Sequence, residues 1–210
     1  MNKTKKSPAA HKARRALVTR STKETRIRGR LCLDGGGASR IRTGIPFLDH
    51  MLSLFAKHGL FDLELTARGD LEVDNHHTNE DSGIVIGELF KKALADKRGI
   101  RRYGTAFVPM DESLSKVRVV LDISGRPSLF FEPARVKMYF ANSGYTVMDA
   151  REWLKAFSTH AGINLHVDIL KGDEPHHILE SIFKALGRSL AEAVHRDPRL
   201  KGLASTKGVL

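Results

Sequence analysis

The sequence predicts an α+β domain made of two similar halves, with each sheet packed on its own helices. The composition is that of a folded globular protein, with 41% hydrophobic and 28% charged residues among 210. Alternating apolar positions in 25–35 and 116–125 predict strands. The pattern His-His-x-x-Glu occurs twice, at 76–80 and 176–180, and the surrounding segments align, which predicts an internal repeat.

The repeat extends well beyond the two histidine pairs. HMLSLFAKHGLFDLEL (50–65) aligns without a gap over EWLKAFSTHAGINLHV (152–167). After each histidine pair, apolar residues recur at helical spacing. Each half is therefore predicted to contain a helix, a turn at Gly59 or Gly162, an alternating strand, a loop and a helix opened by the histidines. We expect two βαβ-like units related by a pseudo-twofold axis.

The predicted boundaries follow from the repeat and from the charge. The two repeats are expected at about 25–115 and 116–210, within a folded domain of residues 19–210. Residues 1–18 are expected to form a basic tail that is disordered and solubilising. Eight Lys and Arg residues and no acid fall within residues 1–23, in a chain of net charge +11. This segment has no aromatic residue for stacking on a base, so nucleic-acid binding is not expected.

The sequence also indicates the compartment. Cys32 is the single cysteine, so no disulfide forms within the chain. No apolar run approaches the ~20 residues of a membrane helix, and no signal-peptide core is apparent. These features predict a cytoplasmic protein that does not enter a membrane.

The paired histidines are the strongest candidates for chemistry. On a helix, His76 and Glu80 lie four residues apart on one face, whereas His77 points about 100° away. Adjacent histidines therefore suit two metal ions rather than one, and His176, His177 and Glu180 repeat the arrangement. A single histidine near a helix start is more often a capping or surface residue, but two aligned copies favour metal binding.

The repeat adds one more aligned pair, which completes two sets of four ligands. The candidate metal ligands are His50, His76, His77, Glu80, Glu152, His176, His177 and Glu180. Imidazole mixed with carboxylate suits manganese, iron or zinc, and the sequence does not choose among them.

Several long motifs follow one another along the chain: GIPFLDHML (44–52), DNHHTNED (74–81), DKRGIRRYG (96–104), PMDE (109–112), LDISGRP (121–127), PHHILESIFKALGRSL (175–190) and STKGVL (205–210). Together these motifs resemble one enzyme family, imidazoleglycerol-phosphate dehydratase. The resemblance runs from about residue 19 to the end.

The resemblance implies the loss of water from D-erythro-imidazole glycerol phosphate to give imidazole acetol phosphate, in histidine biosynthesis. It implies two Mn²⁺ ions per active site, with the substrate imidazole held between them as imidazolate. It also implies a 24-subunit homo-oligomer with sites shared between subunits, and a ribosomal S5 domain 2-like fold.

The resemblance also suggests roles for individual residues. Glu24 and Glu180 are the candidate acid–base groups. Glu152 departs from the histidine found at its position in many relatives, which would add negative charge to one site. The residues expected to bind the substrate and its phosphate are Glu24, His58, Arg102, Arg126, Lys184, Ser205 and Lys207.

Other functions remain open at the level of the sequence. A binuclear metallohydrolase would use metal ions to activate water. A non-catalytic metal-binding assembly protein would keep the ligands as structural staples, but it would have no need of Glu24 or of the phosphate-binding residues. The dehydratase interpretation accounts for all of these residues.

Overall fold

The chain forms two four-stranded sheets and four helices in a computed structural model that describes residues 13–110, 117–132, 144–172 and 174–210. The first half contains β1 Arg15–Ser21, β2 Thr25–Cys32, β3 Ser39–Arg42, α1 Pro46–Gly59, β4 Asp62–Gly69 and α2 His76–Leu94. The second half contains β5 Tyr103–Val108, β6 Val117–Asp122, β7 Ser128–Glu132, α3 Val147–Ala161, β8 Asn164–Ile169 and α4 Pro175–Val194. The predicted α+β fold with two similar halves is confirmed.

The two sheets have the same topology. Their strand orders are β1-β2-β4-β3 and β5-β6-β8-β7. In each sheet, the last two strands are parallel and the other pairs are antiparallel. The segments β3-α1-β4 and β7-α3-β8 are therefore the predicted βαβ-like units, because parallel neighbours require a crossover connection.

The structure moves the predicted boundaries. β1 begins at Arg15, inside the predicted tail, and β5 begins at Tyr103, inside the predicted first repeat. Each structural repeat therefore starts one strand earlier than the sequence indicated. Residues 1–12 of the tail and 111–112 of the PMDE motif lie outside the described residues.

The four helices pack between the two sheets, and they pair across the halves. α1 packs on α4, and α2 packs on α3. A Cβ atom at Gly187 of α4 would lie 2.5 Å from the carbonyl oxygen of Phe55, and one at Gly87 of α2 would lie 2.7 Å from that of Phe157. Since Phe55 aligns with Phe157, the repeat-equivalent glycines permit the same close approach at both helix pairs.

Aromatic side chains fill the core between the halves. Phe55, Phe90, Trp153 and Phe157 are at most 1% exposed. Trp153 stacks on Phe157 with ring centroids 5.3 Å apart, and Phe90 meets Phe157 edge-on at 5.5 Å. Each such pair contributes roughly 0.5–1.5 kcal/mol beyond the burial of its area. Residues of both halves thus form one core. Among the described helices, none is long and apolar enough to span a membrane.

Candidate metal centre and active site

One cluster of candidate ligands forms where α1 meets α4. Nε2 of His50 lies 2.9 Å from Oε1 of Glu180, and Nε2 of His176 lies 3.0 Å from the same oxygen. The ligand atoms of these three residues all lie within 4.8 Å of one another. His50 comes from the first half and the other two from the second, so the cross-half pairing of helices creates the cluster.

Glu180 is held as a carboxylate in this cluster. Its side chain is 9% exposed, and burial alone would raise its pKa. Hydrogen bonds from Lys184, His50 and His176 outweigh burial and lower the pKa of Glu180 to about 2. Nζ of Lys184 lies 2.6 Å from Oε2 of Glu180. This lysine neutralises the carboxylate oxygen that the histidines leave free.

Neighbouring groups orient the imidazole of His176. Phe47 of α1 meets the ring edge-on, with centroids 5.1 Å apart.

Glu174 caps the helix by accepting a hydrogen bond from the backbone N–H of His177, at 2.7 Å. In the first half, Asp74 accepts a similar bond from the backbone N–H of His76. Both histidine pairs therefore open their helices, as the sequence predicts.

The repeat-equivalent group is more open. Nε2 of His76 lies 3.4 Å from Oε2 of Glu80, and both side chains are about half exposed. Glu152, on the packed helix α3, instead contacts Arg151 at 2.7 Å and Lys155 at 3.7 Å. Within the part of the chain that the structure describes, only the group at Glu180 brings three candidate ligands together.

The second histidine of each pair points elsewhere. Nδ1 of His77 lies 3.0 Å from Asp70, and its Nε2 lies 3.9 Å from Oε1 of Glu24. The hydrogen bond with Asp70 raises the pKa of His77, as does the charge of Glu24. His177 turns towards Glu174, at 3.9 Å. This divergence within each pair agrees with the prediction from helical geometry.

Asp70 is a residue of this site that no motif or repeat in the sequence predicts. It lies directly after β4 and orients His77 so that Nε2 faces Glu24. A carboxylate behind an imidazole is typical of metal sites, where it fixes the tautomer and the ring orientation. Its place in the loop before DNHHTNED carries no periodic signal that could have identified it.

Hydrogen bonds and an ion pair made by residues of DNHHTNED position the start of α2. Asp81 accepts a 2.5 Å hydrogen bond from Thr25 and pairs with Arg20 at 2.9 Å. Asn79 donates to the backbone carbonyl of Asp149 and accepts from the hydroxyl of Tyr145. The contacts of Asp81 hold α2 against β1 and β2 beside Glu24. The contacts of Asn79 hold α2 against the start of α3.

Arg102 does not present a free guanidinium for phosphate. It makes two hydrogen bonds with Asp122, at 2.6 and 2.9 Å, which raise the pKa of Arg102. Its Nη1 donates to the backbone carbonyl of Ala204 at 2.8 Å. In this structure Arg102 anchors the C-terminal segment that carries Ser205 and Lys207.

The other phosphate candidates form two groups. Arg126 is exposed in the loop between β6 and β7, and the chain end at Leu210 lies beside Gly125 of that loop. Ser205 accepts a hydrogen bond from the backbone N–H of Lys207. His58 instead belongs with Lys184: burial first, and then the charges of Lys184 and Arg188, lower the pKa of His58.

The cluster at Glu180 fits a divalent metal ion. Two imidazole nitrogens converge on one carboxylate oxygen at hydrogen-bond distance, an arrangement that requires a proton on each nitrogen. A cation can replace both protons, because neutral imidazole and carboxylate are the ligands that manganese, iron and zinc accept.

Comparisons with known proteins show the family of this chain. The family model of imidazoleglycerol-phosphate dehydratase matches residues 43–190, which include all eight predicted ligands. This chain belongs to the imidazoleglycerol-phosphate dehydratase family.

Individual members of the imidazoleglycerol-phosphate dehydratase family match almost the whole chain. The dehydratase of Pelobacter propionicus is 54% identical over 197 residues, covering 94% of this chain and 99% of its own. That of Aromatoleum aromaticum is 52% identical over 198 residues, covering 94% and 100%.

Solved structures of the family share the fold. The crystal structure of the Staphylococcus aureus subsp. aureus N315 dehydratase is 36% identical, with a TM-score of 0.76 over 87% of this chain and 99% of its own. The Pyrococcus furiosus structure, solved with (S)-C348, is 35% identical, with a TM-score of 0.78 over 92% and 100%.

Proposed function

We propose that this protein dehydrates D-erythro-imidazole glycerol phosphate to imidazole acetol phosphate in histidine biosynthesis, with two Mn²⁺ ions in each active site. A C–H proton and the hydroxyl of the neighbouring carbon leave as water, and the resulting enol becomes the ketone. The observation that carries the proposal is the convergence of His50, His176 and Glu180, in a member of the dehydratase family.

The first metal ion would be held by His50, His176 and Glu180. When bound, manganese acts as a Lewis acid on the substrate imidazole and hydroxyl, which makes a C–H proton with no neighbouring carbonyl acidic enough to remove. Lys184 balances the charge of Glu180 and keeps its carboxylate oriented by a 2.6 Å contact.

The second ion would use the repeat-equivalent residues. His76 and Glu80 already lie together on α2, and Glu152 is on the helix packed against it. To bind the ion, the carboxylate of Glu152 has to leave Arg151 and Lys155. His77 and His177 point away from these groups, which supports their use by sites shared with other subunits.

Glu24 is proposed as the acid–base residue that moves the substrate proton. Its carboxylate is in the turn between β1 and β2, 3.9 Å from Nε2 of His77. Asp70 holds the other nitrogen of that ring. An acid–base group placed in this way contributes typically ~10²–10⁴-fold to the rate.

The phosphate would be bound by polar and cationic groups of the C-terminal segment and of the neighbouring β6–β7 loop. Arg126, Ser205 and Lys207 supply an exposed guanidinium, a hydroxyl and an ammonium group. Arg102 holds the segment through Ala204, so its proposed direct contact with phosphate requires release from Asp122. Lys184 and His58 lie instead beside the metal cluster. This division supports a site that is shared between subunits. We propose an assembly of 24 subunits in the cytoplasm.

The proposal is tested by assaying dehydration with metal-stripped protein and again after manganese is restored. We expect activity only with manganese, and about two ions per chain in the active protein. Full activity without metal would contradict the metal role. Bound metal without dehydration would favour a structural metal protein, and hydrolysis of the phosphate ester would favour a metallohydrolase.

Glu24→Gln isolates the acid–base role. We expect a rate loss of ~10²–10⁴-fold, with metal content unchanged, because Glu24 is placed outside the metal ligands. Glu88→Gln on α2 is the matched control, since it also removes one carboxylate charge but lies away from the cluster. Equal rates for the two variants would exclude Glu24 as the proton carrier.

A further inference from the structure

Lys97 is a partly buried cation without an acidic partner. It lies in the loop that follows α2, within the motif DKRGIRRYG. Its ammonium group makes no hydrogen bond or ion pair with any residue that the structure describes. The carboxylate of the adjacent Asp96 contacts Arg98 instead, at 3.3 Å. Since burying an ammonium group without an acid is unfavourable, Lys97 is suited to an anion that the chain itself does not supply.

Asp122 attracts Lys97 electrostatically, but its carboxylate is already engaged. Both oxygens of Asp122 accept hydrogen bonds from Arg102, at 2.6 and 2.9 Å. Burial first, and then the charges of Lys91 and Arg102, lower the pKa of Lys97, and the charge of Asp122 offsets only part of this effect. The positive charges around Lys97 therefore exceed the negative ones.

The backbone that presents Lys97 is strained. Ala95, Lys97 and Arg102 have φ angles of 50°, 58° and 76°, in the left-handed region that residues other than glycine rarely adopt. Among the described residues, the one other non-glycine residue with a positive φ is Leu60, which ends α1. The strain is thus concentrated in the loop between α2 and β5, and strain of this kind clusters at ligand-binding sites.

Lys97 faces the loop between β6 and β7. Its Nζ atom is 3.6 Å from the point where a Cβ atom of Gly125 would lie, and Gly125 directly precedes Arg126. The C-terminal segment reaches the same point, because the carbonyl carbon of Leu210 is 2.8 Å from it. Two loops and the C-terminal segment, which carry Lys97, Arg126 and Lys207, therefore converge at Gly125.

We propose that Lys97 is a further phosphate-binding residue, whose ammonium group contacts the phosphate of the substrate together with Arg126, Ser205 and Lys207. A phosphate monoester carries roughly two negative charges near neutral pH, and its oxygens supply the acceptors that Lys97 lacks. Lysine binds phosphate as a point charge. Arg102 has to leave Asp122 before it can contact the phosphate, whereas Lys97 has no partner to leave.

The inference rests on the proposed function, and it adds a residue to the phosphate site of that reaction. α2 has 19 residues, so roughly 28 Å of helix separates His76 at its start from the loop of Lys97 at its end. Replacing Lys97 should therefore leave the metal-binding end of α2 undisturbed. Metal content serves as an internal control in every experiment below.

The first test is the binding of inorganic phosphate to the metal-loaded protein, measured by isothermal titration calorimetry. Lys97→Met keeps the approximate length of the side chain and removes its charge, so we expect a loss of ~10–100-fold in affinity. Lys92→Met is the matched control, because it removes a lysine charge at an exposed position of α2, and it should bind phosphate like the wild type. Equal affinities for Lys97→Met and the wild type, or no binding by the wild type, would overturn the inference.

Thermal unfolding separates a binding role from a structural one. Because Lys97 lacks an acid and other cations repel it, Lys97→Met should unfold at the same temperature as the wild type or at a higher one. Phosphate should then raise the melting temperature of the wild type more than that of the variant, since a ligand stabilises the state that binds it. A lower melting temperature for Lys97→Met without phosphate would indicate a structural lysine and contradict the proposal.

Dehydration kinetics keep this inference distinct from the proposed function. The KM of Lys97→Met for imidazole glycerol phosphate should rise ~10–100-fold, with a smaller change in kcat and unchanged metal content. Lys97→Arg should recover most of the affinity because it restores the charge. No dehydration by the wild type would refute the proposed function alone, and the phosphate titration would still decide the role of Lys97. An active Lys97→Met with an unchanged KM would refute only this inference.

Discussion

Oε1 of Glu180 lies 2.9 Å from Nε2 of His50, although 130 positions separate the two residues along the chain. The contact exists because α1 of one half packs on α4 of the other. The proposed metal site and the packing of the two halves are therefore physically linked.

Replacing Glu180 should remove metal from this cluster. Glu180→Gln keeps the size of the side chain but removes the charge that the cation and Lys184 share. We expect metal affinity to fall at least as much as the ~10–100-fold typical of losing a group behind a ligand, and dehydration to fall with it. The measurement is metal content after dialysis against a chelator. Glu88→Gln should retain its metal, and retention by Glu180→Gln would rule out the ligand role.

Acid should weaken the metal-free protein through the same carboxylate. The pKa of Glu180 is lowered to about 2 in the fold, from an ordinary value of 4.5. Its contribution to stability is therefore fully present above pH 4.5 and is lost as the pH falls towards 2. Denaturation of metal-free wild type and Glu180→Gln over this range should show their difference in unfolding free energy shrinking. A constant difference would mean that Glu180 is not held as a carboxylate by its partners.

Gly187 should be intolerant of a side chain. The Cβ atom of Gly187→Ala would lie 2.5 Å from the carbonyl oxygen of Phe55, so α4 has to move away from α1. Overpacking of this kind costs typically ~1–3 kcal/mol, and it should also weaken metal binding by shifting Glu180 from His50. Gly202→Ala is the control, because nothing lies within 4 Å of a Cβ there. Equal unfolding free energies for the two variants would contradict the close approach.

Replacing Asp81 should lower the free energy of unfolding more than replacing an exposed aspartate that also pairs with an arginine. Asp81→Asn disturbs the contacts with Thr25 and Arg20, and we expect a loss of about 1–3 kcal/mol in unfolding free energy. Asp96→Asn removes an exposed contact with Arg98 at 3.3 Å, where the expected loss is about 0–1 kcal/mol. Chemical denaturation of both compares them directly. The kcat of Asp81→Asn should also fall, because Glu24 is adjacent to Thr25, and an unchanged kcat would separate Asp81 from the active site.

The sequence predicted the central strands and missed the edge strands. β2, β4, β6 and β8 alternate clearly, because one face of each is buried against helices. β1, β3, β5 and β7 are at the sheet edges; β3 has four residues, and β1 lies in the basic segment that resembled a tail. An edge strand is hydrogen-bonded to one neighbouring strand, so its sequence carries a weaker alternation of apolar and polar residues.

The sequence by itself determined the repeat, the four helices and the divergence of each histidine pair, because helical periodicity is a local property of the chain. Only the tertiary structure decided which ligands meet. The pairing of α1 with α4 brings His50 to Glu180, Asp70 takes its place behind His77, and Asp122 engages Arg102. Those contacts depend on how the helices and strands of the two halves pack, and no local pattern encodes that packing.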